Sequence, residues 1–167
     1  DKTDIPQRLT DAGYLLFTRL GYNATGIQQI ADEAGVPKGS FYNHFDSKEA
    51  FAAVIIRQYT DWVHASWAQC VSDAPCLPQD DALGVMRYVF GRFVRHHEQA
   101  ACPGCLVGNF AAEVAESSPT CRAVLDASMR EWRTLLGELI GQAQQQGQIR
   151  SDRSASELAA FFWDVWE

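Results

Sequence analysis

From Pro37 to Phe45 the chain reads Pro-Lys-Gly-Ser-Phe-Tyr-Asn-His-Phe, which sets polar tips at Lys38, Ser40, Tyr42, Asn43 and His44 among two phenylalanines. Lys38 can meet a phosphate or a guanine edge. Asn43 can hold adenine by two hydrogen bonds, worth about 1–3 kcal/mol of discrimination between bases. Tyr42 and His44 donate or accept. Gly39 lets another backbone come close, and the amides of Gly39 and Ser40 lie near a positive helix end that favours phosphate. A second chemistry lies at Cys102-Pro103-Gly104-Cys105. Cys105 falls at a helix start, where free amides and the helix dipole lower a thiol pKa and favour attack on electrophiles or oxidants. Cys102 stands where a resolving thiol would. Two other readings of the pair stay open: small hydrophobes at a helix junction, or a zinc set with His96 and His97. The zinc pattern is loose because no second pair exists, so neither a metal nor a cofactor is expected. Cys70, Cys76 and Cys121 read as packing.

The elements that must position these residues are helical throughout, and no run alternates with period two. Leu9, Ala12, Leu16 and Leu20 recur at three and four until Gly21 stops the run. Thr25-x-x-Gln28 forms a capping-box signal for a short helix through Ala34. Gly35 ends it, and Pro37 suits the first position of a second short helix running to Phe45. Asp46 and Glu49 signal the start of a long helix to about Ser72. After a proline-bearing loop (73–79), Leu83, Met86, Phe90, Phe93 and His97 form one stripe. A shorter helix follows from Cys105 to Ala115. Pro119 opens the longest helix, with Val124, Leu125, Met129, Trp132, Leu136, Leu139 and Ala143 in register. Ser154-x-x-Glu157 caps the last one. The expected class is therefore all-α: a three-helix helix-turn-helix domain over residues 1–46 and a helical sensing and dimerisation domain over 47–167.

Bulk composition gives nucleic-acid binding no help. The net charge is −7 over 167 residues, 47% of them hydrophobic. The first 48 residues hold five cations against six anions. A small reading head on an acidic body remains compatible with that balance. No apolar run reaches the roughly 18 residues of a membrane span, and an odd cysteine count suits a reducing cytoplasm. The opening on Asp1, and an apolar pattern still running at Trp166-Glu167, lead to the expectation that the chain is cut short.

The residues Gly21-Tyr22-x-x-Thr25, Ile30-Ala31-x-x-Ala34-Gly35-Val36 and Lys38-Gly39-Ser40-Phe41-Tyr42-x-His44-Phe45-x-Ser47-Lys48-Glu49 resemble the signature of the TetR family of transcriptional regulators. The resemblance implies a homodimer that holds a palindromic double-stranded operator and releases it when an effector reaches the C-terminal body. It implies groove or phosphate contacts for Lys38, Ser40, Tyr42, Asn43 and His44, and backbone contacts for Thr25, Gln28 and Lys48. Pro37 stands where many relatives have Ser, which removes one phosphate contact.

Farther on, Gly104-Cys105-Leu106 and Ala112-Glu113-Val114 resemble the electrophile-responsive NemR subgroup, which implies that Cys105 senses electrophiles or oxidants. Tyr59, Trp62, Phe90, Phe93, Asn109, Phe110 and Glu113 are candidates for lining an effector pocket, and the same aromatics serve equally as core. In the family the last two long helices pair across the dimer, which here offers Trp132, Leu136, Phe161, Phe162, Val165 and Trp166. Two other classes fit the sequence less well. A thiol redox protein using Cys102 and Cys105 requires a βαβ setting that the periodicity lacks. A helical interaction module leaves the Gly21–Glu49 signature without a purpose. No catalytic constellation is recognisable, so no enzyme is expected.

Overall fold

The computed structural model describes residues 4–99 and 105–166, the side chains of 97, 99 and 166 excepted. Every regular element among them is helical: α1 (Ile5–Leu20), α2 (Ile27–Glu33), α3 (Lys38–Tyr42), α4 (Lys48–Ser72), α5 (Ala82–Gln99), α6 (Leu106–Val114), α7 (Pro119–Gln145) and α8 (Ala155–Trp166).

Local chemistry sets the ends. Gly35, at φ +63, closes α2 in a Schellman turn: its N–H reaches Asp32 O at 3.0 Å, and Val36 N–H reaches Ala31 O at 2.9 Å. An L side chain is strained at that φ, so glycine belongs there. Ser154 and Glu157 form the expected reciprocal cap, Glu157 accepting from Ser154 N at 2.9 Å and Ser154 Oγ accepting from Glu157 N at 3.2 Å. Two other start signals are displaced by one residue. Gly26, not Thr25, precedes α2, and Gln29 Oε1 accepts from Gly26 N at 2.6 Å. Ser47, not Asp46, caps α4 by accepting from Ala50 N at 3.0 Å.

The chain divides into two compact units, residues 1–60 with 104–127, and residues 61–103 with 128–167. The first is built on rings. Phe51 lies 5.0 Å from Phe41 and 4.7 Å from Phe45, and Phe17 meets the edge of Phe110 at 5.3 Å. Gly13 permits this packing, because a Cβ there would fall 2.4 Å from the Phe51 ring. Leu9, Ile30, Ala31, Ile55 and Leu106 complete the core. Burying each large side chain of this kind contributes roughly 1.5–3 kcal/mol.

The second unit packs Trp67, Cys70, Val85, Val89, Leu136, Leu139, Ile140 and Ala159 together, with Phe90, Phe93, Trp132 and Phe162 around them. The innermost line of α5 is Ala82, Val85 and Val89, one step round from the expected stripe, which places Met86, Phe90 and Phe93 at the margin. Two glutamines tie its turns. Gln146 accepts from Ala82 N at 2.9 Å and donates to Pro78 O at 2.7 Å, while Gln148 accepts from Leu83 N at 3.0 Å and donates to Asp81 at 2.8 Å. They satisfy amides that the first turn of α5 cannot pair internally. Of the expected dimer face, Leu136 is buried within its own unit and Trp132 packs on Trp67 at 5.3 Å. Phe162 packs on Phe90 at 4.7 Å. Phe161 and Val165, one turn apart on α8, are 69% and 71% exposed.

Candidate nucleic-acid interface

Helices α1, α2 and α3 contact one another. Ile30 and Ala31 of α2 and Phe41 of α3 are fully buried, so the apolar residues of both short helices turn inward. The residues of α3 on either side of Phe41 then turn outward. Lys38, Gly39, Tyr42, Asn43 and His44 are exposed, and Ser40 is half-buried. A Cβ at Gly39 would meet nothing within 4 Å, so nothing inside the chain requires glycine at that position.

The helix itself is shorter than the sequence suggests. Regular α3 covers Lys38–Tyr42, with Pro37 as its N-cap in extended conformation and Asn43 as its C-cap. His44 and Phe45 continue as a turn, both amides donating to Phe41 O at 3.0 and 2.9 Å. Phe45 is drawn against Phe51, which ends the regular run. The Ser40 amide donates to Pro37 O at 2.8 Å, so it is engaged within the chain and not held open for a phosphate.

The flanking residues divide. Gln28 is exposed on α2 and donates to Asp32 at 2.7 Å. Thr25 is only 1% exposed, and its hydroxyl donates to Gly21 O at 2.8 Å. Its side chain builds the turn after α1 instead of facing outward as expected, because the carbonyls there need a donor. Lys48 lays its ammonium over the Tyr22 ring, 4.1 Å from the centroid, a cation–π contact. Burial lowers its pKa, and the nearby Glu113 carboxylate opposes that shift.

Sequence pattern alone does not mark Arg8. Its guanidinium donates to Ala34 O, and to Gly35 O at 3.1 Å. A cation at the C-terminal end of α2 suits the helix dipole, and here it pins the turn leading into α3. No local signal marks it, since its partners lie 26 and 27 residues away.

The remaining candidates fall in both units. Tyr59, Asn109, Phe110 and Glu113 belong to the first unit, and Trp62, Phe90 and Phe93 to the second. Phe110 is buried against Phe17 and Tyr22, whereas Asn109 is exposed. Glu113 accepts from Asn23 N at 2.8 Å. Trp62 is 46% exposed and lies 5.6 Å from the His96 ring; Phe90 and Phe93 pack against Trp67 at 5.9 and 6.4 Å. Cys105 is the N-cap of α6, the helix start that its place in the sequence suggests, and it is half-buried. Tyr59 Oη donates toward its sulfur at 4.0 Å. Burial pushes the Tyr59 phenol well above its ordinary pKa, the Cys105 sulfur adds to that, and the Leu106 amide opposes it. Cys102 lies outside the described residues. No group of three or more metal-binding side chains occurs among the described residues.

Residues 9–55 match the family described as bacterial regulatory proteins, tetR family, and residues 82–167 match the tetracyclin repressor-like, C-terminal domain. The HTH-type transcriptional repressor DhaR of Mycobacterium sp. (strain GP1) is 31% identical over 99% of this chain and 80% of its own. The chain belongs to the TetR family of transcriptional regulators. As a TetR-family protein it carries an all-helical fold with an N-terminal helix-turn-helix DNA-binding domain. The HTH-type transcriptional repressor NemR of Escherichia coli (strain K12) is 26% identical over 98% of this chain and 80% of its own, in keeping with the NemR-like residues around Cys105. A crystal structure of reduced E. coli NemR superposes with a TM-score of 0.82 at 22% identity, covering 98% of this chain and 84% of that one. AibR, crystallised with isovaleryl coenzyme A and operator DNA, shares the fold at TM-score 0.71 and 23% identity, over 96% of this chain and 82% of that one. No described helix of this TetR-family protein is long and apolar enough to cross a membrane.

Proposed function

We propose that this TetR-family protein binds a palindromic operator as a homodimer and leaves it when a small molecule or an electrophile or oxidant reaches the body. The observation that carries the reading is the orientation of α3. Phe41 is fully buried while Lys38, Tyr42, Asn43 and His44 are exposed, the Tyr42 and His44 rings resting edge-on against Phe41 and Phe45 with their polar atoms outside the core. Side chains of these types reach base edges and phosphates when a recognition helix enters the major groove by its leading end. The Arg8 bridge holds that end in place. AibR, a structural neighbour, has been crystallised with both an acyl coenzyme A and operator DNA, which supports the pairing of an effector with operator binding. For the dimer, exposed Phe161 and Val165 on α8 supply apolar surface that association would cover. For the signal, the half-buried Cys105 at the start of α6 supplies a reactive candidate.

The test is titration of duplex DNA from upstream of its own gene, with and without N-ethylmaleimide. One dimer is expected per site, with half-sites about 34–36 Å apart or a multiple of that. Alkylation is expected to release DNA from the native protein and not from Cys105→Ser. Equal affinity for random DNA overturns the operator reading; release from Cys105→Ser overturns the thiol signal alone.

A further inference from the structure

Helix α6 is joined to the reading head by a polar bond that packing alone does not explain. Phe110 and Val114 anchor it in the first unit's core, yet Glu113 between them turns its carboxylate to the loop after α1. Glu113 Oε2 accepts from the Asn23 amide at 2.8 Å, across 90 positions of sequence. Room for that carboxylate exists because position 21 is glycine. A Cβ there would lie 2.3 Å from Glu113 Oε1, and the φ of +83 is one that other residues rarely adopt. The same corner holds Tyr22, which meets Phe110 at 5.9 Å and carries the Lys48 ammonium on its face. At the opposite end of α6, about 13 Å away for a nine-residue helix, Cys105 forms the N-cap beside the Tyr59 hydroxyl. One short rigid helix therefore touches the candidate thiol at its start and the loop that feeds α2 at its finish.

We infer that Glu113 is a positioning residue: through the Asn23 amide it makes the loop before α2 follow α6, so that a disturbance at the Tyr59–Cys105 end reaches the reading head. This rests on the operator-binding reading but needs no particular signal. A charge-assisted hydrogen bond is directional, so it transmits a shift that the sliding contacts of Phe110 would absorb.

The test is a double-mutant cycle on operator affinity using Tyr59→Phe, which removes the hydroxyl beside Cys105 and the Leu106 amide, and Glu113→Ala. Tyr59→Phe is expected to lower affinity about tenfold in the native background, the effect of one good hydrogen bond. In the Glu113→Ala background its effect is expected to fall below about twofold. Glu113→Gln keeps an acceptor oxygen for Asn23 and should restore most of the coupling. The salt dependence should be the same in all variants, because no phosphate contact is removed. Additive effects, or no effect of Tyr59→Phe alone, overturn the inference. Should Glu113→Ala not fold, Glu113→Met, which has similar bulk and no acceptor, takes its place. If the native protein shows no sequence preference, the operator reading fails instead, and amide hydrogen exchange decides. Removing the carboxylate should then speed exchange at Asn23 and abolish any response of α2 and α3 to Tyr59→Phe; unchanged exchange at Asn23 overturns the inference.

Discussion

Helices α3 and α6 are both short, and both anchor on a fully buried phenylalanine, but they treat their polar residues in opposite ways. In α3, Phe41 goes inward and Lys38, Tyr42 and Asn43 face outward. In α6, Leu106, Val107, Phe110 and Val114 are all buried, Cys105 stands beside the Tyr59 hydroxyl and Glu113 is bonded to the head. The first helix leaves its chemistry free for another molecule. The second uses its chemistry to connect parts of the same chain. A polar residue on a helix is therefore read best by whether the chain itself already satisfies it.

The contrast can be broken at its anchor. Phe41→Ala removes the ring that Phe45 and Phe51 pack against, and is expected to cost about 3–5 kcal/mol in chemical denaturation, with loss of DNA binding. A loss below about 1 kcal/mol means that α3 is not held by that ring. Arg8→Met tests how firmly the reader is held. It should cost about 1 kcal/mol of stability and weaken operator binding without changing the salt slope. A slope lower by about one means that Arg8 touches a phosphate.

Gly39→Ala sharpens the comparison, since a methyl group there meets open space. Stability should hold or rise by up to about 1 kcal/mol, while operator affinity falls. Equal affinity shows that no DNA backbone comes close at that position.

The smallest effect belongs to acid. The Gly84 amide, and after it Gln148, hold the Asp81 carboxyl below its ordinary value of 3.8, and the Ser154 amide does the same for Glu157. A depressed carboxylate contributes stability that is present above its unfolded pKa and lost as pH falls through the folded value. Acid unfolding below about pH 4 should therefore be less steep in Asp81→Asn, followed by near-ultraviolet circular dichroism. An unchanged profile removes Asp81 from the account.

Much of this was legible in the sequence because it is local. The helices, the Ser154–Glu157 cap, the position of Cys105 at the start of α6 and the exposed run around Lys38–His44 follow from spacing and residue type. What spacing misses is contact at long range. Thr25 reads as a cap or a phosphate ligand, yet it is buried because the carbonyl of Gly21 needs its hydroxyl. Glu113 reads as a pocket residue, yet its carboxylate binds an amide 90 positions away. Nothing near Arg8 shows that its partners close α2. The stripe on α5 is off by one step because Val85 and Val89 reach farther into the core than the larger Phe90 and Phe93.

The claim that α3 is the reader is tested most directly by titrating upstream DNA and random DNA across a range of salt with native protein, Lys38→Ala and Asn43→Ala. A strong preference for upstream DNA is expected, with a salt slope lower by about one in Lys38→Ala. Asn43→Ala should lose about 1–3 kcal/mol of affinity at the specific site alone, with unchanged melting in both variants. Native affinity and slope in both variants would contradict the claim.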